Sequence, residues 1–174
     1  MYKKNIAIVG GMRNVNSKVG RLIAEELGMK MLSVEDAIEY VNNTDIPSIL
    51  RDFDAEYYYE LEERIVPRVM ACNNTVIATT GSMALSPDVL EEMSRECYIV
   101  LLTAKEGIVI RRIANDERCY PKDDLLDKKN ILLRNLAVKL PDIADVTVDT
   151  SVIGPNDVKD IVVRELTRII NEDN

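Results

Sequence analysis

A largely apolar segment, two glycines and an amphipathic helical pattern follow one another at the start of the chain, and this order constrains the fold most. Residues Asn5–Val9 have the length and character of a buried strand, and Gly10 and Gly11 follow it. Apolar residues then recur with the spacing of one helix face, at Val19, Leu22, Ile23 and Leu27. A glycine turn between a strand and a helix is the setting of a phosphate-binding loop.

The loop departs from the phosphate-binding pattern G-x-x-x-x-G-K-[ST] at its main positions. Counted from Gly10, Val15 replaces the second glycine, Asn16 replaces the lysine, and Ser17 keeps the hydroxyl. Valine is β-branched and disfavours positive φ. Asparagine carries no charge to place against the β- and γ-phosphates of a nucleotide. We therefore expect ATP–Mg to bind weakly or not at all.

Neighbouring cations are poorly placed to replace the missing lysine. Lys18 lies two residues further along, about 200° around a helix, so we expect it to face away. Arg13 stands where the pattern has a small residue. We expect Arg13 or Asn14 to narrow the space within Gly11–Asn16, so that no wide anion-binding nest forms there.

Two oxygen-bearing side chains, those of Ser17 and Glu35, have both a metal-binding and a structural interpretation. Together they could hold a metal ion through oxygen ligands. Ser17 also suits the N-cap of the helix that follows the loop. Glu35 with Asp36 is typical of a first helical turn, where acidic groups interact favourably with the helix dipole. We favour the structural interpretation for both and predict no metal site.

Composition limits the classes of function. The 174 residues suit one domain, and the net charge of −8 argues against a nucleic-acid or anionic-membrane surface. There is no histidine, the commonest general base and metal ligand. The three cysteines are widely spaced, which indicates neither a zinc site nor a disulfide framework, and we expect them to be buried and unreactive. We expect a cytoplasmic protein for three reasons. The thiols are expected to be free, there is no room for a signal peptide before the first strand, and no apolar run is long enough to span a bilayer.

Strands and helices alternate along the whole chain, which predicts a single α/β domain. Five strand candidates are present, at Asn5–Val9, Lys30–Leu32, Thr75–Thr79, Tyr98–Leu102 and Val146–Val148. Because they are mostly apolar without alternation, we expect a five-stranded parallel sheet with helices on both faces, a three-layer sandwich. Gly28 is a helix stop signal, and Pro155 suits the first turn of a last helix. The charged, mostly non-periodic segment Asn115–Lys129 is interpreted as a mobile flap.

The order of several short motifs resembles that of the shikimate kinase family over almost the whole chain. The motifs that carry the resemblance are Val19–Ala24, Leu27–Met29, Ile46–Leu50, Leu61-Glu62, Val76–Thr79, Arg111-Arg112, Ile143–Asp145 and Val148–Thr150. The resemblance implies a five-stranded parallel sheet in the style of nucleoside monophosphate kinases. Within one domain over residues 1–174, it places a substrate subdomain at about 33–63 and a lid at about 113–129.

Positions that have a functional role in that family carry different residues in this chain. Asn16 stands at the phosphate-loop lysine. Ser33 and Glu35 stand at the Asp-x-Asp that the family uses after its second strand for magnesium and substrate. Tyr58-Tyr59 replaces a Phe-Arg pair whose arginine binds the carboxylate of shikimate.

The differences continue in the second half of the chain. The family's run of three glycines aligns with Thr-Gly-Ser, in which only Gly81 is kept. The lid arginine aligns with Cys119, or with Arg118 after a shift of one residue. Leu136 and Leu140 stand at the arginine and tyrosine of an Arg-x-Pro-x-Tyr segment, whose arginine is the second carboxylate clamp.

These replacements predict an apolar substrate pocket that is filled internally or covered. Its predicted lining is Glu35, Tyr58, Tyr59, Gly81 and Leu136. Of the three consecutive tyrosines from Tyr57 on, we expect two in the core and one facing water. Arg111 and Arg112 match a family position near the nucleotide base, but adjacent arginines on a helix are typical of solvated surface.

The sequence predicts a non-catalytic relative of the shikimate kinases. It would act as a regulatory partner of another protein or as a sensor of a small uncharged ligand, without cofactor. The alternative is an ATP- and magnesium-dependent small-molecule kinase with an atypical phosphate site built from Arg13, Lys18 and Arg118.

Overall fold

A five-stranded parallel sheet forms the middle of the fold. The computed structural model describes residues 3–10, 13–53, 55–80, 83, 86–114 and 140–172. The strands are β1 (Asn5–Val9), β2 (Lys30–Ser33), β3 (Thr75–Ala78), β4 (Cys97–Thr103) and β5 (Val146–Asp149). Their order in the sheet is β2-β3-β1-β4-β5, with every neighbouring pair parallel. All five predicted strands are confirmed, each end to within one residue.

Helices connect the strands. The described ranges contain α1 (Arg13–Leu27), α2 (Val34–Asn42), α3 (Ile46–Asp52), α4 (Ala55–Met70), α5 (Pro87–Glu96), α6 (Glu106–Ala114), α7 (Leu140–Ile143) and α8 (Pro155–Glu172). The predicted stop at Gly28 is confirmed, because α1 ends at Leu27 and Gly28 has φ +64°. Pro155 opens α8 as predicted. None of the helices in these ranges is long and apolar enough to cross a membrane.

Side chains of the central strands alternate between two cores, one on each face of the sheet. Ala7 and Val9 of β1 belong to the core beneath α2–α5, whereas Ile6 and Ile8 belong to the core beneath α1 and α8. Strands β1 and β3 are buried along their whole length, as expected for a sheet covered on both faces. The predicted three-layer sandwich is confirmed.

Because the strands are parallel, their carboxyl ends all lie at the same edge of the sheet. Ile8 pairs with Ala78 of β3 and with Val100 of β4, so the segments that follow β1 and β3 leave the sheet side by side. In parallel α/β sheets, ligands bind beyond the carboxyl ends of the strands. This edge is therefore where a functional site is expected.

Cys97 makes stability depend on pH. It is fully buried at the start of β4, and burial, followed by the charge of Glu96, raises the pKa of its thiol from 9.0 to about 12. The unfolded chain therefore loses this proton at a lower pH than the folded protein does. The stabilisation is complete below pH 9 and is lost as the pH rises toward 12. At pH 9.5 the loss of stability amounts to about 1 kcal/mol.

Urea unfolding at pH 7.5 and 9.5 measures this contribution. The natural protein should lose about 1 kcal/mol more between the two conditions than Cys97→Ala, whose cavity cost does not depend on pH. Equal losses in the two proteins would contradict the role of the thiol.

Candidate functional site

The helix that follows the glycine turn begins earlier than predicted. Helix α1 starts at Arg13, so Ser17 lies in its second turn and the predicted N-cap role of Ser17 is wrong. The physical reason is the loss of the second glycine. Nothing at Val15 requires positive φ, and its side chain packs against the core beneath α1. The stretch from 13 to 17 is therefore helix rather than an open phosphate loop.

Some predicted residues of this segment lie outside the described part of the structure. Gly11 is one of them, and the side chains of Arg13 and Asn14 are not described. The prediction that Arg13 or Asn14 narrows the loop therefore remains a prediction.

Gly10 is required by the backbone geometry at the end of β1. Its φ is +81°, and a Cβ atom there would lie 2.5 Å from Leu101 Cδ1 and 2.9 Å from the carbonyl oxygen of Leu102. The strand β4 thus leaves no space for a side chain. The first glycine of the pattern has a structural role that does not depend on phosphate.

Asn16 is a buried link between α1 and the sheet. Only 1% of the residue is exposed, and its Nδ2 donates a hydrogen bond to the carbonyl oxygen of Thr79 at 3.3 Å. Thr79 is itself fixed to β1, because its backbone N–H and its hydroxyl both donate to the carbonyl oxygen of Ile8, at 3.1 and 2.8 Å. Asn16 Oδ1 is buried and has no hydrogen-bond partner among the residues described.

Lys18, a cation of the alternative phosphate site, is an exposed residue of α1. Its orientation relative to this edge of the sheet remains a prediction. Arg118, the other distant cation of the alternative phosphate site, lies outside the described residues.

Glu35 and Asp36 occupy the first turn of α2. Ser33 is the N-cap of this helix, and its hydroxyl oxygen accepts a hydrogen bond from the Asp36 backbone N–H at 3.3 Å. Glu35 is 6% exposed, whereas Asp36 faces solvent. This is the structural placement that the sequence favoured. In the part of the chain described here, no three His, Cys, Asp or Glu side chains are grouped so that they could hold a metal ion.

The three consecutive tyrosines all pack against the core, so the prediction that one of them faces water is wrong. Tyr58 is 3% exposed, while Tyr57 and Tyr59 are half-buried against the same core. Phe53 is exposed instead, and its ring stacks on Tyr57 with centroids 4.6 Å apart. The physical reason is that α4 packs against α2, α3 and α5, so more than one face of the helix is covered. Desolvation, followed by the charge of Glu62, raises the pKa of Tyr59, which stays neutral at pH 7.

Tyr58 and Leu140 belong to one continuous apolar core. Leu140 is 2% exposed at the start of α7 and joins the same group of buried side chains as Tyr58. Leu136 and Gly81, also predicted to line the substrate pocket, lie outside the described residues, as does the predicted lid over about 113–129 except for its first two residues. Of the predicted pocket residues the structure describes Glu35, Tyr58 and Tyr59, and Glu35 is the one charged side chain among these three.

Arg112 has a structural partner that the sequence did not indicate. Its guanidinium donates to the hydroxyl and carbonyl oxygens of Thr150, at 2.9 and 2.8 Å. The Thr150 hydroxyl in turn donates to the carbonyl oxygen of Thr103 at 2.9 Å. The prediction of solvated surface therefore fits Arg111, which is exposed, but is wrong for Arg112, which joins α6 to the ends of β4 and β5.

Comparison with known proteins identifies the family to which the sheet and its helices correspond. The shikimate kinase family model matches residues 16–167. A shikimate kinase of Thermodesulfovibrio yellowstonii is 25% identical over 97% of this chain and 98% of its own length. One of Persephonella marina is 28% identical over 84% of this chain and 89% of its own length.

Solved structures show the same fold. A shikimate kinase from Acinetobacter baumannii, determined in complex with shikimate, superposes with a TM-score of 0.84 at 21% identity, covering 95% of this chain and 94% of that chain. The shikimate kinase of Aquifex aeolicus gives a TM-score of 0.78 at 21% identity, over 94% and 96% of the two chains. The family model spans most of the sequence, and the sheet and its helices have the matching architecture. The chain belongs to the shikimate kinase family.

Proposed function

We propose that this member of the family does not catalyse phosphoryl transfer and acts instead as a regulatory or ligand-sensing protein. The observation that carries the proposal is the neutral, buried amide at position 16. A lysine at this position in the phosphate-loop pattern must extend toward the β- and γ-phosphates. Asn16 is instead tied to the Thr79 carbonyl oxygen.

The chemistry of Asn16 opposes a bound phosphate. One of its two amide N–H donors is bonded to Thr79, and its Oδ1, which has no partner among the described residues, is a hydrogen-bond acceptor, as phosphate oxygens are. Two acceptors repel when no donor lies between them. Since catalysis of phosphoryl transfer is mostly positioning and charge stabilisation, loss of the lysine removes part of the required machinery. A hydrogen bond to a charged group is worth about 1.5–3 kcal/mol, and more is lost where charge develops in the transition state.

The substrate side supports the same proposal. A buried carboxylate needs a charged partner, ideally an arginine that binds both oxygens. The chain has Tyr59 and Leu136 at the two family positions for such arginines. Tyr59 is a half-buried neutral phenol, and burial of an unpaired carboxylate against it would be costly.

We expect no saturable binding of ATP–Mg below about 1 mM, because a nucleotide at this site would lack the charge of a lysine. Isothermal titration calorimetry on the full chain measures this directly. Lys18→Asn is the matched control, and it should give the same result as the natural protein because Lys18 faces solvent. Low-micromolar affinity in the natural protein would refute the proposal. Loss of any measured affinity in Lys18→Asn would favour the atypical phosphate site.

Shikimate should not raise the melting temperature even at millimolar concentration. A ligand present at 100 times its dissociation constant adds about 2.7 kcal/mol of stability, which a thermal-shift assay detects easily. Glu35→Ala serves as the matched variant, since Glu35 is the one charged side chain among the predicted pocket residues. A clear shift with shikimate that disappears in Glu35→Ala would show that the site still binds the substrate of the family.

A further inference from the structure

A cavity of ≈ 410 Å³ lies at the opposite edge of the sheet from Gly10 and Asn16. It opens beside the first residues of β1, the Asn73–Asn74 turn before β3 and the start of β4. Because all strands are parallel, these amino ends form the edge that the candidate site does not use. The volume falls within the range of small-molecule sites.

One wall of the cavity is apolar. It is built from the end of α1, the C-terminal part of α8 and Tyr98 of β4. Its apolar members are Leu27, Met29, Tyr98, Leu166 and Ile170. Tyr98 is 5% exposed and Leu166 is 1% exposed, so this wall is continuous with the core and has a fixed shape. A ligand that covers it would be bound through its apolar part.

The other wall carries two lysines. The Lys3 ammonium is held in place by Asp145, with Nζ 2.9 Å from Oδ2 and 3.1 Å from Oδ1, and lies 5.2 Å from the centre of the Tyr98 ring. Asp145 is fixed in turn, because its Oδ2 accepts a hydrogen bond from the Ile99 backbone N–H at 2.7 Å. Lys4 is exposed, and it forms no ion pair with any residue that the structure describes.

The charges around the cavity favour an anionic ligand over a cationic one. The protein as a whole carries a net charge of −8, yet the charged residues that line this cavity are two lysines, with Asn73 and Asn74 beside them. Two carboxylates nearby already have partners: Asp145 is bound to Lys3 and to the Ile99 N–H, and Glu96, whose carbonyl oxygen accepts from the Lys4 N–H, pairs with Arg95. A cationic ligand would therefore meet like charge, whereas an anion would find hydrogen-bond donors next to an apolar wall.

We propose that this cavity binds a small organic carboxylate with an apolar body. The carboxylate lies at the Lys4 ammonium, with Lys3 and Asn73 beside it, and the apolar body covers the wall formed by α1, α8 and Tyr98. This site is independent of the proposed loss of kinase activity. Since α1 runs from Asn16 to the cavity, a ligand there fixes the end of the same helix that lies at the candidate functional site.

The probes are three molecules of the same shape: 3-phenylpropanoate, 3-phenylpropan-1-ol and 3-phenylpropylamine. Calorimetry on the full chain should give a dissociation constant of about 0.1–1 mM for the carboxylate, from the usual affinity per atom of ligands of this size. The alcohol should bind about tenfold more weakly, and the amine should give no saturable heat. Equal affinity for acid and alcohol, or no saturation by the acid at 10 mM (on the order of ten times the weakest expected constant), would overturn the proposal.

Paired variants locate the binding. Thr167 lines the cavity and is exposed on α8, so Thr167→Trp should fill the space and abolish binding of 3-phenylpropanoate; Arg164→Trp, on the same helix but outside the cavity, should not. Lys4→Gln should weaken binding about fivefold, whereas Lys30→Gln makes the same change of net charge outside the cavity and should leave it unchanged. Unchanged affinity in both Thr167→Trp and Lys4→Gln would show that any binding occurs elsewhere.

Discussion

Asn16→Lys should leave the protein without shikimate kinase activity and lower its free energy of unfolding by about 2–4 kcal/mol. The residue is 1% exposed and its amide links α1 to Thr79, so a longer side chain is forced into a filled space. Overpacking of this kind costs about 1–3 kcal/mol, and a buried ammonium without a carboxylate partner adds a desolvation penalty. The missing lysine cannot simply be restored, because the segment around it has become part of a helix.

Two measurements separate stability from catalysis in this variant. Urea unfolding gives the loss of stability, and a coupled assay of ADP release measures shikimate-dependent turnover. Asn16→Leu is the matched control: it has similar size and no charge, and it should cost only about 1 kcal/mol for the lost hydrogen bond. Robust turnover in Asn16→Lys alone would mean that the roles of Tyr59 and Leu136 have been overestimated and that the proposed function is wrong.

The fold was predictable because its signals are local. Each central strand is a short apolar run with turn-forming residues on both sides, and parallel strands covered on two faces have this appearance. The end of α1 was equally clear, since Gly28 adopts the left-handed conformation that glycine favours. Such features depend on a few consecutive residues and are therefore readable from sequence.

The start of α1 differs from the prediction because the phosphate-loop pattern fixes a loop only where both of its glycines are present. The pattern places a loop up to position 16, but that loop exists only if glycine allows the backbone to turn there. With Val15 in that place, helical backbone and core packing determine the conformation. Val15, which argues against a nucleotide-binding loop, therefore also favours the earlier helix start.

Contacts between distant segments were beyond sequence reasoning. Arg112 and Thr150 are 38 residues apart, and neither has a pattern that indicates the other. The cavity at the amino edge of the sheet is assembled from several segments that each contribute only a few residues. The burial of Tyr57 and Tyr59 likewise depends on how many helices cover α4. The periodicity of the sequence alone does not show this number.

Gly10→Ala should lower the free energy of unfolding by about 3 kcal/mol, and the melting temperature by roughly 6–12 °C. Two costs add in this variant. The left-handed backbone conformation at φ +81° destabilises the folded protein by about 1–2 kcal/mol when the residue is alanine. The new methyl group would lie 2.5 Å from Leu101 Cδ1 and 2.9 Å from the Leu102 carbonyl oxygen. The leucine tip can move, but the carbonyl belongs to the central strand β4, and accommodating the methyl group costs about 1–3 kcal/mol more.

Gly28→Ala is the matched control, because it has the backbone cost without the contact. Gly28 has φ +64° and open space around the position of a Cβ atom. Gly28→Ala should therefore lower the free energy of unfolding by only about 1 kcal/mol. Thermal and urea unfolding of both variants in phosphate-free buffer compares the two glycines directly. A larger loss for Gly10 means that β4 alone requires this glycine. Its presence is then no argument for nucleotide binding, which depends on the charge missing at Asn16. Equal losses would show that the contact with β4 relaxes at little cost and that the glycine needs another explanation.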